Sequence, residues 1–493
     1  METIWLPDLS PRAPRDGSNG ARAAPLYRAI AAALAEDIRA ERLAAGTRLP
    51  AMRDLAERLQ VTLGTVHRAY ALAEKQGLIT RQLGRGSYVR AERPAAPARA
   101  AASPDGTVDL SRNEPVGMEL GPILQRTLAE MAREPDLEGM LDYGFSQGQP
   151  RHREILARWI GARGLAAAPE RLIVTSGAQQ ALTIALGALT RAGDTLMVEA
   201  LTYPGIKNLA RLFGLRLRPI PMDGDGLDPA AVAAACRAAK EDHDRDHDRG
   251  GGVRLLYCMP NVHNPTTASL SLERRRALAE IAAAEGLVIL EDDVFPRRPP
   301  ASAARGADGQ DAPLPALAEI APESTVYISS LSKTLAPGLR VGAIAAPARL
   351  HADLVAVTQT TSWMAPPLMA ELACRWIEDG TAAELELARD RVTRELHEVA
   401  RAGLGALPYA HEPHNNHLWL PLEAPWTGSE FAAKASERRI LVAPAEDFAI
   451  DPSRAPAAVR LCLPNIDREV LRRALEDLAA LTQDRPGPVE FRM

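Results

Sequence analysis

The chain has 493 residues, which is too many for one hydrophobic core and corresponds to two or more domains. Hydrophobic residues make up 46% of it and charged residues 25%, which excludes disorder throughout, and its apolar runs are much shorter than the roughly 18 residues of a membrane span. The net charge of −5 is uneven, because residues 21–90 carry 12 Lys and Arg against 6 Asp and Glu, as expected of a basic module that contacts phosphates.

The N-terminal quarter of the chain is predicted to be mainly helical. Residues 1–20 combine Pro, Gly and charged residues without periodicity, which predicts a flexible arm and no basic signal peptide, so we expect a cytoplasmic protein without a membrane partner. Within residues 21–90, apolar residues recur at helical spacing in three segments, and two short strands follow around the Gly-Arg-Gly sequence at 84–86. Three helices and a hairpin predict a winged helix-turn-helix.

Three parts of this region carry a family resemblance. The sequences at 49–56 (LPAMRDLA) and 61–70 (VTLGTVHRAY), together with the glycines at 84–86, resemble the GntR family of regulators. The resemblance implies a double-stranded DNA operator as partner, although a helix-turn-helix used for protein contacts is the alternative. It implies a phosphate contact for Arg53, major-groove contacts on the third helix for Thr62, Thr65, His67 and Arg68, and a wing-tip contact for Arg85.

The remainder of the chain is predicted to form a second, α/β domain. Residues 91–107 are rich in Ala and Pro, which predicts a linker, and the C-terminal domain is assigned to 108–493. Apolar, strand-like runs alternate there with helical segments, which predicts a mostly parallel sheet with helices on both faces. These runs are 172–175, 195–198, 254–257, 287–290 and 326–329.

Two inserts and four cysteines are the candidates for metal or disulfide sites. The inserts at 241–252 and 301–313 are rich in charged or small residues and are interpreted as solvated loops, so no metal site is predicted despite His243 and His247. The cysteines lie far apart without a Cys-x-x-Cys pair, which indicates buried or inert thiols. They are Cys236, Cys258, Cys374 and Cys462.

The C-terminal domain contains a lysine in a distinctive setting. The sequence at 329–342 (SSLSKTLAPGLRVG) places Lys333 just after a buried strand, between hydroxyl residues, with Arg340 seven positions on. This pattern, and its order with the motifs upstream, resembles the fold-type I aminotransferases over nearly all of 108–493. The resemblance implies the cofactor pyridoxal 5′-phosphate (PLP), attached covalently to Lys333, with Ser330, Ser332 and Arg340 around its phosphate.

The same resemblance assigns the rest of the cofactor site. Ala178 and Gln179, at a helix N-terminus after Gly177, would donate backbone N–H groups to the phosphate. Tyr203 would stack on the pyridine ring, and Asn264 would donate to its oxygen O3′. Asp292 would pair with the pyridine nitrogen and keep it protonated.

Two further positions concern the ligand and the assembly. Arg460 lies where aminotransferases place the arginine that binds a substrate carboxylate. Tyr143 matches a tyrosine that reaches the phosphate of the neighbouring subunit, which implies a homodimer. Relatives usually carry a tyrosine for O3′ at one of the positions occupied here by Val294 and Phe295, a departure that leaves transamination open.

The combination of the two domains resembles the MocR subfamily of GntR regulators. The resemblance implies a PLP-dependent, DNA-binding transcription regulator whose aminotransferase-like domain senses an amino compound. Two alternatives stay open, namely a working amino-acid aminotransferase with an appended DNA-binding module, and a sensor of the PLP level itself. Turnover of an amino acid with a keto acid distinguishes the enzyme from the sensors.

Overall fold

The chain divides into two compact units, residues 1–97 and 98–493. This boundary falls inside the segment predicted as a linker. The computed structural model describes residues 5–7, 26–39, 42–43, 46–75, 78–82, 86–89, 106–134, 137–245, 254–295 and 314–484. Most of the predicted arm and linker, and Arg85 at the predicted wing tip, lie outside these residues, so the predicted domain limits stay predictions.

The N-terminal unit has the predicted winged helix-turn-helix. Its helices pack around a core that includes Ile30, Leu34, Leu55, Val66 and Tyr70. The buried Tyr70 hydroxyl donates to the carbonyl of Pro50 at 3.0 Å, which fixes the third helix against the start of the second. The elements are α1 (Leu26–Arg39), α2 (Met52–Arg58) and α3 (Leu63–Lys75), then the antiparallel strands β1 (Ile79–Gln82) and β2 (Gly86–Val89).

The centre of the C-terminal unit is a seven-stranded sheet. All five strands predicted from apolar runs are present in it, each within two residues of its predicted limits. Its order is β4-β12-β11-β10-β9-β5-β6, and every pair is parallel except the two made by β12. The strands are β4 (Leu172–Thr175), β5 (Thr195–Glu199), β6 (Arg216–Ile220), β9 (Arg254–Cys258), β10 (Leu287–Asp292), β11 (Thr325–Ser330) and β12 (Gly342–Ala345).

Helices bury both faces of this sheet, as predicted. Along β4, Ile173 packs into one apolar cluster while Leu172 and Val174 pack into another, because successive strand residues point to opposite faces. The helices of this unit that precede β12 are α4 (Gly121–Met131), α5 (Pro150–Gly161), α6 (Ala178–Leu189), α7 (Pro204–Leu212), α8 (Pro229–Arg245), α9 (Leu272–Glu285) and α10 (Leu317–Ile320). The first three helices after β12 are α11 (Ala348–Thr361), α12 (Pro367–Glu378) and α13 (Thr381–Leu404).

A smaller lobe is built from the two ends of the C-terminal unit. Strand β3 (Val108–Asp109) pairs with β15 (Ile440–Leu441), which brings the beginning of the unit against its last part. A four-stranded sheet of order β13-β14-β17-β16 packs in one apolar cluster with residues of three helices, α13, α14 and α15. The remaining elements are β7 (Met222–Asp223), β8 (Gly226–Leu227), β13 (Ala410–His411), β14 (His417–Pro421), α14 (Gly428–Glu437), β16 (Ala443–Pro444), β17 (Ala458–Cys462) and α15 (Arg468–Gln483).

One prediction of a loop was partly wrong. Helix α8 continues to Arg245, into the insert 241–252 that was interpreted as a loop, because its alanine-rich sequence favours helix up to that point. The rest of both inserts lies outside the described residues. All four cysteines are buried, as predicted, and none of them forms a disulfide bond within the described part of the chain. None of the described helices is long and apolar enough to cross a membrane.

Candidate functional site

A cavity of about 700 Å³ opens beyond the carboxyl ends of the parallel strands. Parallel strands deliver the loops that follow them to the same edge of the sheet, where ligand sites commonly form. The cavity brings together residues as distant in the chain as Ser111 and Arg460, which are 349 positions apart. Ten of the residues predicted for the cofactor and substrate line it: Ala178, Gln179, Tyr203, Asn264, Asp292, Ser330, Ser332, Lys333, Arg340 and Arg460.

Lys333 follows Ser330, the last residue of β11, by three positions, and its side chain lines the cavity. Its Nζ donates to the backbone carbonyl of Asn113 and lies 5.8 Å from the ring centroid of Phe295. Burial, with a contribution from the nearby cation Arg460, lowers the pKa of this amine to about 8. A lysine with a depressed pKa has an appreciable neutral fraction near physiological pH, as a nucleophilic amine requires.

Asp292 ends β10 and is buried in the cavity wall. Its Oδ2 accepts a hydrogen bond of 2.7 Å from the Tyr257 hydroxyl, while its Oδ1 is buried without a partner among the described residues. Burial raises the pKa of this carboxyl to about 7, and the neighbouring carboxylate of Asp293 contributes in the same direction. An unpaired buried carboxylate oxygen fits a ligand that carries a proton donor.

The neighbouring Asp293 is occupied by the protein itself. Its Oδ1 accepts from the Asn261 amide at 2.8 Å and its Oδ2 from the Tyr327 hydroxyl at 2.6 Å. Both of its carboxylate oxygens therefore have protein partners, and the residue does not line the cavity. Of the two adjacent carboxylates, only Asp292 is available to a ligand.

An anion-binding corner forms where α6 begins. Gly177 precedes the helix with φ +86°, and a Cβ on it would lie 2.8 Å from a guanidinium nitrogen of Arg340. Arg340 donates to the carbonyl of Ser176 at 2.9 Å, and its other terminal nitrogen is 3.4 Å from the Ser332 hydroxyl. The Ser330 hydroxyl donates in turn to the Ser332 hydroxyl at 3.0 Å. A helix N-terminus, an arginine and two serine hydroxyls are thus neighbours in this corner, which suits a phosphate.

An aromatic ring forms another wall of the cavity. Tyr203 precedes α7, and its hydroxyl donates to the side-chain oxygen of Gln179 at 3.1 Å. Its ring lies over Gly205, where a Cβ would come within 2.2 Å of it, so this orientation requires glycine. Burial raises the pKa of the phenol, which keeps it protonated. Val294 and Phe295 also line the cavity but offer no hydroxyl group.

Arg460 is fixed by the protein on β17. One terminal nitrogen donates to Asn264 Oδ1 at 2.8 Å and the other to the carbonyl of Ser111, while the guanidinium lies 4.8 Å from the ring centroid of Phe448. Neither partner is a carboxylate, so the simple explanation of a core ion pair does not account for this charge. Its Nε is buried without a partner among the described residues.

Tyr143 lies apart from the cavity. Its side chain is 85% exposed, and its ring makes an edge contact with Trp363 at 5.6 Å between centroids. Within one chain, Tyr143 therefore does not lie next to the anion-binding corner. Its role at the phosphate of a neighbouring subunit stays a prediction.

The N-terminal unit presents a polar surface on α2 and α3. Arg53, Thr62, His67 and Arg68 are exposed and Thr65 is half-buried. The Thr62 hydroxyl accepts from the backbone N–H of Thr65 at 3.2 Å and so caps the third helix. The Arg68 guanidinium lies 5.6 Å from the ring centroid of Tyr27, so α1 holds this side chain in place.

Comparison with known proteins agrees with both units. The aminotransferase class I and II model matches residues 105–478, and the model of bacterial regulatory proteins of the gntR family matches residues 26–89. The chain belongs to the aminotransferase class I and II family. Its N-terminal domain belongs to the gntR family. Both predicted resemblances are therefore confirmed, and the combination is that of the MocR subfamily.

Relatives of two kinds resemble this member of the family. The uncharacterized HTH-type transcriptional regulator YdeF of Bacillus subtilis is 29% identical over 92% of this chain and 95% of its own length. The 2-aminoadipate transaminase of Thermus thermophilus is 29% identical over 70% of this chain and 84% of its own. The structure of LysN, an α-aminoadipate aminotransferase of the same organism in complex with N-(5′-phosphopyridoxyl)-L-leucine, has a TM-score of 0.62 at 26% identity, covering 79% of this chain and 96% of LysN.

The class I and II aminotransferases depend on PLP, and the cavity of this member fits that cofactor. The amine of Lys333 suits its aldehyde, and the anion-binding corner around Arg340 suits its phosphate. The unpaired Oδ1 of Asp292 suits a protonated pyridine nitrogen, and the Tyr203 ring lies in the same cavity as a stacking surface. The individual roles of these residues toward PLP stay predictions.

Several cavity residues were missed in the sequence. Ser111 and Asn113 follow a two-residue strand too short to detect, and Phe448 lies in an irregular segment. Tyr257, which supports the cavity residue Asp292, could have been suspected from the sequence. It lies in a run that was predicted as a buried strand, where a hydroxyl group needs a hydrogen-bond partner. Its partner Asp292 belongs to the neighbouring strand and could not be read from local sequence.

Proposed function

We propose that this protein is a transcription regulator that binds double-stranded DNA through its N-terminal domain and PLP through its aminotransferase-like domain, where it senses a small amino compound. The observation that carries the proposal is the convergence of Lys333, Asp292 and Arg340 on one cavity, in a chain that also has a gntR-family domain. The relative YdeF, which matches this chain over nearly its whole length, is named as a transcriptional regulator.

The residues of the cavity have separate tasks in this proposal. Bound PLP supplies an aldehyde that reacts with amines and a ring that withdraws electrons. Lys333 would hold the cofactor through its amine, which is the group that an effector amine would replace. Arg340 and the N-terminus of α6 would hold the phosphate, and Asp292 would keep a proton on the ring nitrogen. Arg460 binds the carboxylate of an effector that carries one.

A second candidate is an amino-acid aminotransferase with an appended DNA-binding domain. It is favoured by the 29% identity to the 2-aminoadipate transaminase of Thermus thermophilus. Lys333 and Arg460 of this chain would suit an aminotransferase as well as a sensor. It is disfavoured by Phe295, whose ring faces the Lys333 amine without a hydroxyl that could hold or transfer a proton. A sensor needs only the exchange of one amine for another, whereas turnover needs a further proton transfer in each half-reaction.

We also propose a cytoplasmic homodimer in which Tyr143 reaches the phosphate bound by the other subunit. Supporting this, Leu141, Phe145 and Trp363 around Tyr143 are large, apolar and exposed, an arrangement common at subunit contacts. Light scattering of the purified chain tests the dimer. A monomer that retains PLP as firmly as the dimer would contradict the role of Tyr143.

The experiment that tests the proposal combines trapping and DNA binding. We expect borohydride to fix PLP to the purified protein and to its Lys434→Ala variant, whose lysine is on the surface beside Glu437, but not to Lys333→Ala. Because the pKa of Lys333 is about 8, the attachment of added PLP should accelerate as the pH rises from about 7 to 9. The operator affinity of the loaded protein should then change on addition of an amino acid.

Two results separate the candidates. Steady conversion of an amino acid and a keto acid, with an operator affinity that does not respond to either, would establish the enzyme and overturn the sensor. A trapped adduct in Lys333→Ala would reject the site itself.

A further inference from the structure

One segment of the smaller lobe borders the cavity and is fixed there at many points. Residues 110–117 expose a row of backbone carbonyls, most of which accept a hydrogen bond from a side chain. The donors are Arg460 to Ser111, Lys333 to Asn113, Asn416 to Glu114 at 2.7 Å, Arg389 to Val116 at 3.0 Å and Asn465 to Gly117 at 2.8 Å. The position of Asn113 beside Lys333 is therefore well determined.

The side chain of Asn113 presents an unused donor. Its Oδ1 lies 3.5 Å from the Lys333 Nζ, as expected for an amide oxygen beside an ammonium group, and this orients the amide. Its Nδ2 is then buried without a hydrogen-bond partner among the described residues, although Asn113 lines the cavity. Buried amide N–H groups without an acceptor are uncommon in folded proteins and call for an explanation.

A second unused donor belongs to the same cavity. The Nε of Arg460 is also buried without a partner in the described part of the chain, since only the terminal nitrogens are held by Asn264 and Ser111. Two unused donors, one of them charged, match a ligand group with two acceptor oxygens and a negative charge. A carboxylate has this character, whereas a simple amine leaves both donors unsatisfied.

We infer that Asn113 is a specificity-determining residue, which binds the effector carboxylate together with Arg460 and selects α-amino acids. The inference rests on the proposed function and goes beyond it. Because Oδ1 and Nδ2 of Asn113 share one carbon, the donor lies close to the Lys333 amine that the effector amine replaces. A carboxylate on the same carbon as the amine fits this spacing, and one displaced along the chain does not.

The test is a spectral titration of the full-length, PLP-loaded protein. The probes are the standard L-amino acids, the amine obtained from each by decarboxylation, and β-alanine as the displaced isomer of alanine. Asn113→Ala removes the donor, and Asn113→Asp keeps the size but replaces the donor by a second acceptor. Asn465→Ala is the matched control, since it releases the same segment at Gly117 without altering the cavity.

We expect Asn113→Ala to raise the half-saturating concentration of the preferred L-amino acid by about tenfold, which equals about 1.4 kcal/mol. Asn113→Asp should raise it further, while Asn465→Ala leaves it unchanged. The half-saturating concentrations of the amine and of β-alanine should not change in Asn113→Ala or in Asn465→Ala. The PLP absorbance and melting temperature of each variant confirm that it is folded and loaded.

The outcomes are distinguishable. A wild-type protein that holds PLP but responds to no amine or amino acid refutes the proposed sensor. A responsive wild type with an unaffected Asn113→Ala shows that water satisfies Nδ2, and an equal shift for amine and amino acid shows that Asn113 only positions Lys333. Either result overturns the inference and leaves the sensor intact.

Discussion

Asp292 and Asp293 illustrate how two adjacent, chemically identical residues acquire different roles. Asp293 has protein donors on both carboxylate oxygens, whereas Asp292 has one oxygen without a partner among the residues that the structure describes. The difference arises because consecutive residues at a strand end point in opposite directions. Burial of a carboxylate oxygen without a partner is unfavourable, and a cationic ligand group bound next to Asp292 would compensate for it.

We expect Asp292→Asn to raise the melting temperature of the PLP-free protein, and to raise it more at pH 8 than at pH 5. Burial raises the pKa of Asp292 from 3.8 to about 7, so the folded PLP-free protein binds this proton more tightly than the unfolded chain. Its contribution to stability is therefore greatest below about pH 4 and is lost as the pH rises to about 7. Thermal unfolding of both proteins at the two pH values measures the effect.

The same substitution should weaken PLP retention on dialysis, because asparagine cannot hold the ring nitrogen protonated. Asp293→Asn is the control, and it should lower the melting temperature at both pH values by disturbing the bonds from Asn261 and Tyr327. Equal losses of PLP in the two variants would contradict the assignment of Asp292.

At the scale of elements, helix α3 combines a structural and a binding task at its first residues. Thr62 caps the helix through the N–H of Thr65 and is also exposed at the surface predicted to face DNA. A helix N-terminus and its cap are suited to phosphate contact, since the free N–H groups and the helix dipole attract anions. Stability and DNA affinity can therefore be separated there by choice of the capping residue.

We expect Thr62→Asp to keep the stability of the N-terminal domain and to reduce its DNA affinity. Aspartate caps a helix as well as threonine does, but its charge repels the phosphate backbone. Thr62→Ala should instead lower stability by about 1 kcal/mol through loss of the cap. Denaturant unfolding and operator titration measure the two quantities, and unchanged DNA binding by the aspartate variant would place the operator elsewhere.

Two exposed residues should differ in how they affect sequence preference. Arg53→Ala should weaken binding to operator and random DNA alike and reduce the salt dependence, because a phosphate contact releases counterions. His67→Ala should reduce the preference for the operator, with a loss of about 1–3 kcal/mol of discrimination if it contacts a base edge. Arg42→Ala is the control, since Arg42 is already paired with Asp37 at 2.7 Å. A salt-independent affinity would leave the DNA-binding surface without support.

At the scale of the whole chain, the cavity is shared between the two lobes of the C-terminal unit. Lys333 and Asp292 come from the seven-stranded sheet, while Arg460 and Phe448 come from the smaller lobe. A ligand that contacts both lobes stabilises one arrangement of them over others. The smaller lobe also contains β3, which is the first strand after the predicted linker. The peptide chain therefore connects this lobe to the N-terminal domain through the linker.

We expect the preferred amino acid to change operator affinity, and the operator to change amino-acid affinity, by the same factor. This equality is required of any two coupled binding equilibria. Titration of each ligand at saturating and zero concentrations of the other measures both factors. Lys333→Ala should bind the operator and lose the coupling, whereas Lys434→Ala should retain it; a coupling that survives in Lys333→Ala would assign the response to another site.

The sequence by itself determined the division into two domains and most of their elements. Apolar periodicity and runs such as 287–290 depend on neighbouring residues only, because a strand or helix must bury one face wherever it packs. The motif around Lys333 and the capping residue Thr62 were likewise local features. The predicted roles of Arg460 and Asn264 came from family resemblance, and the structure places both side chains in contact within the cavity.

Only the tertiary structure decided which groups are unpaired and how their pKa values shift. Tyr257 meets Asp292 because β9 and β10 are neighbours, and Asn113 meets Lys333 although 220 residues separate them. The free donor of Asn113 and the lowered pKa of Lys333 are consequences of burial, which depends on every element around the cavity. Local sequence cannot specify burial, because the desolvation of a group is a property of the packed fold and not of its neighbours along the chain.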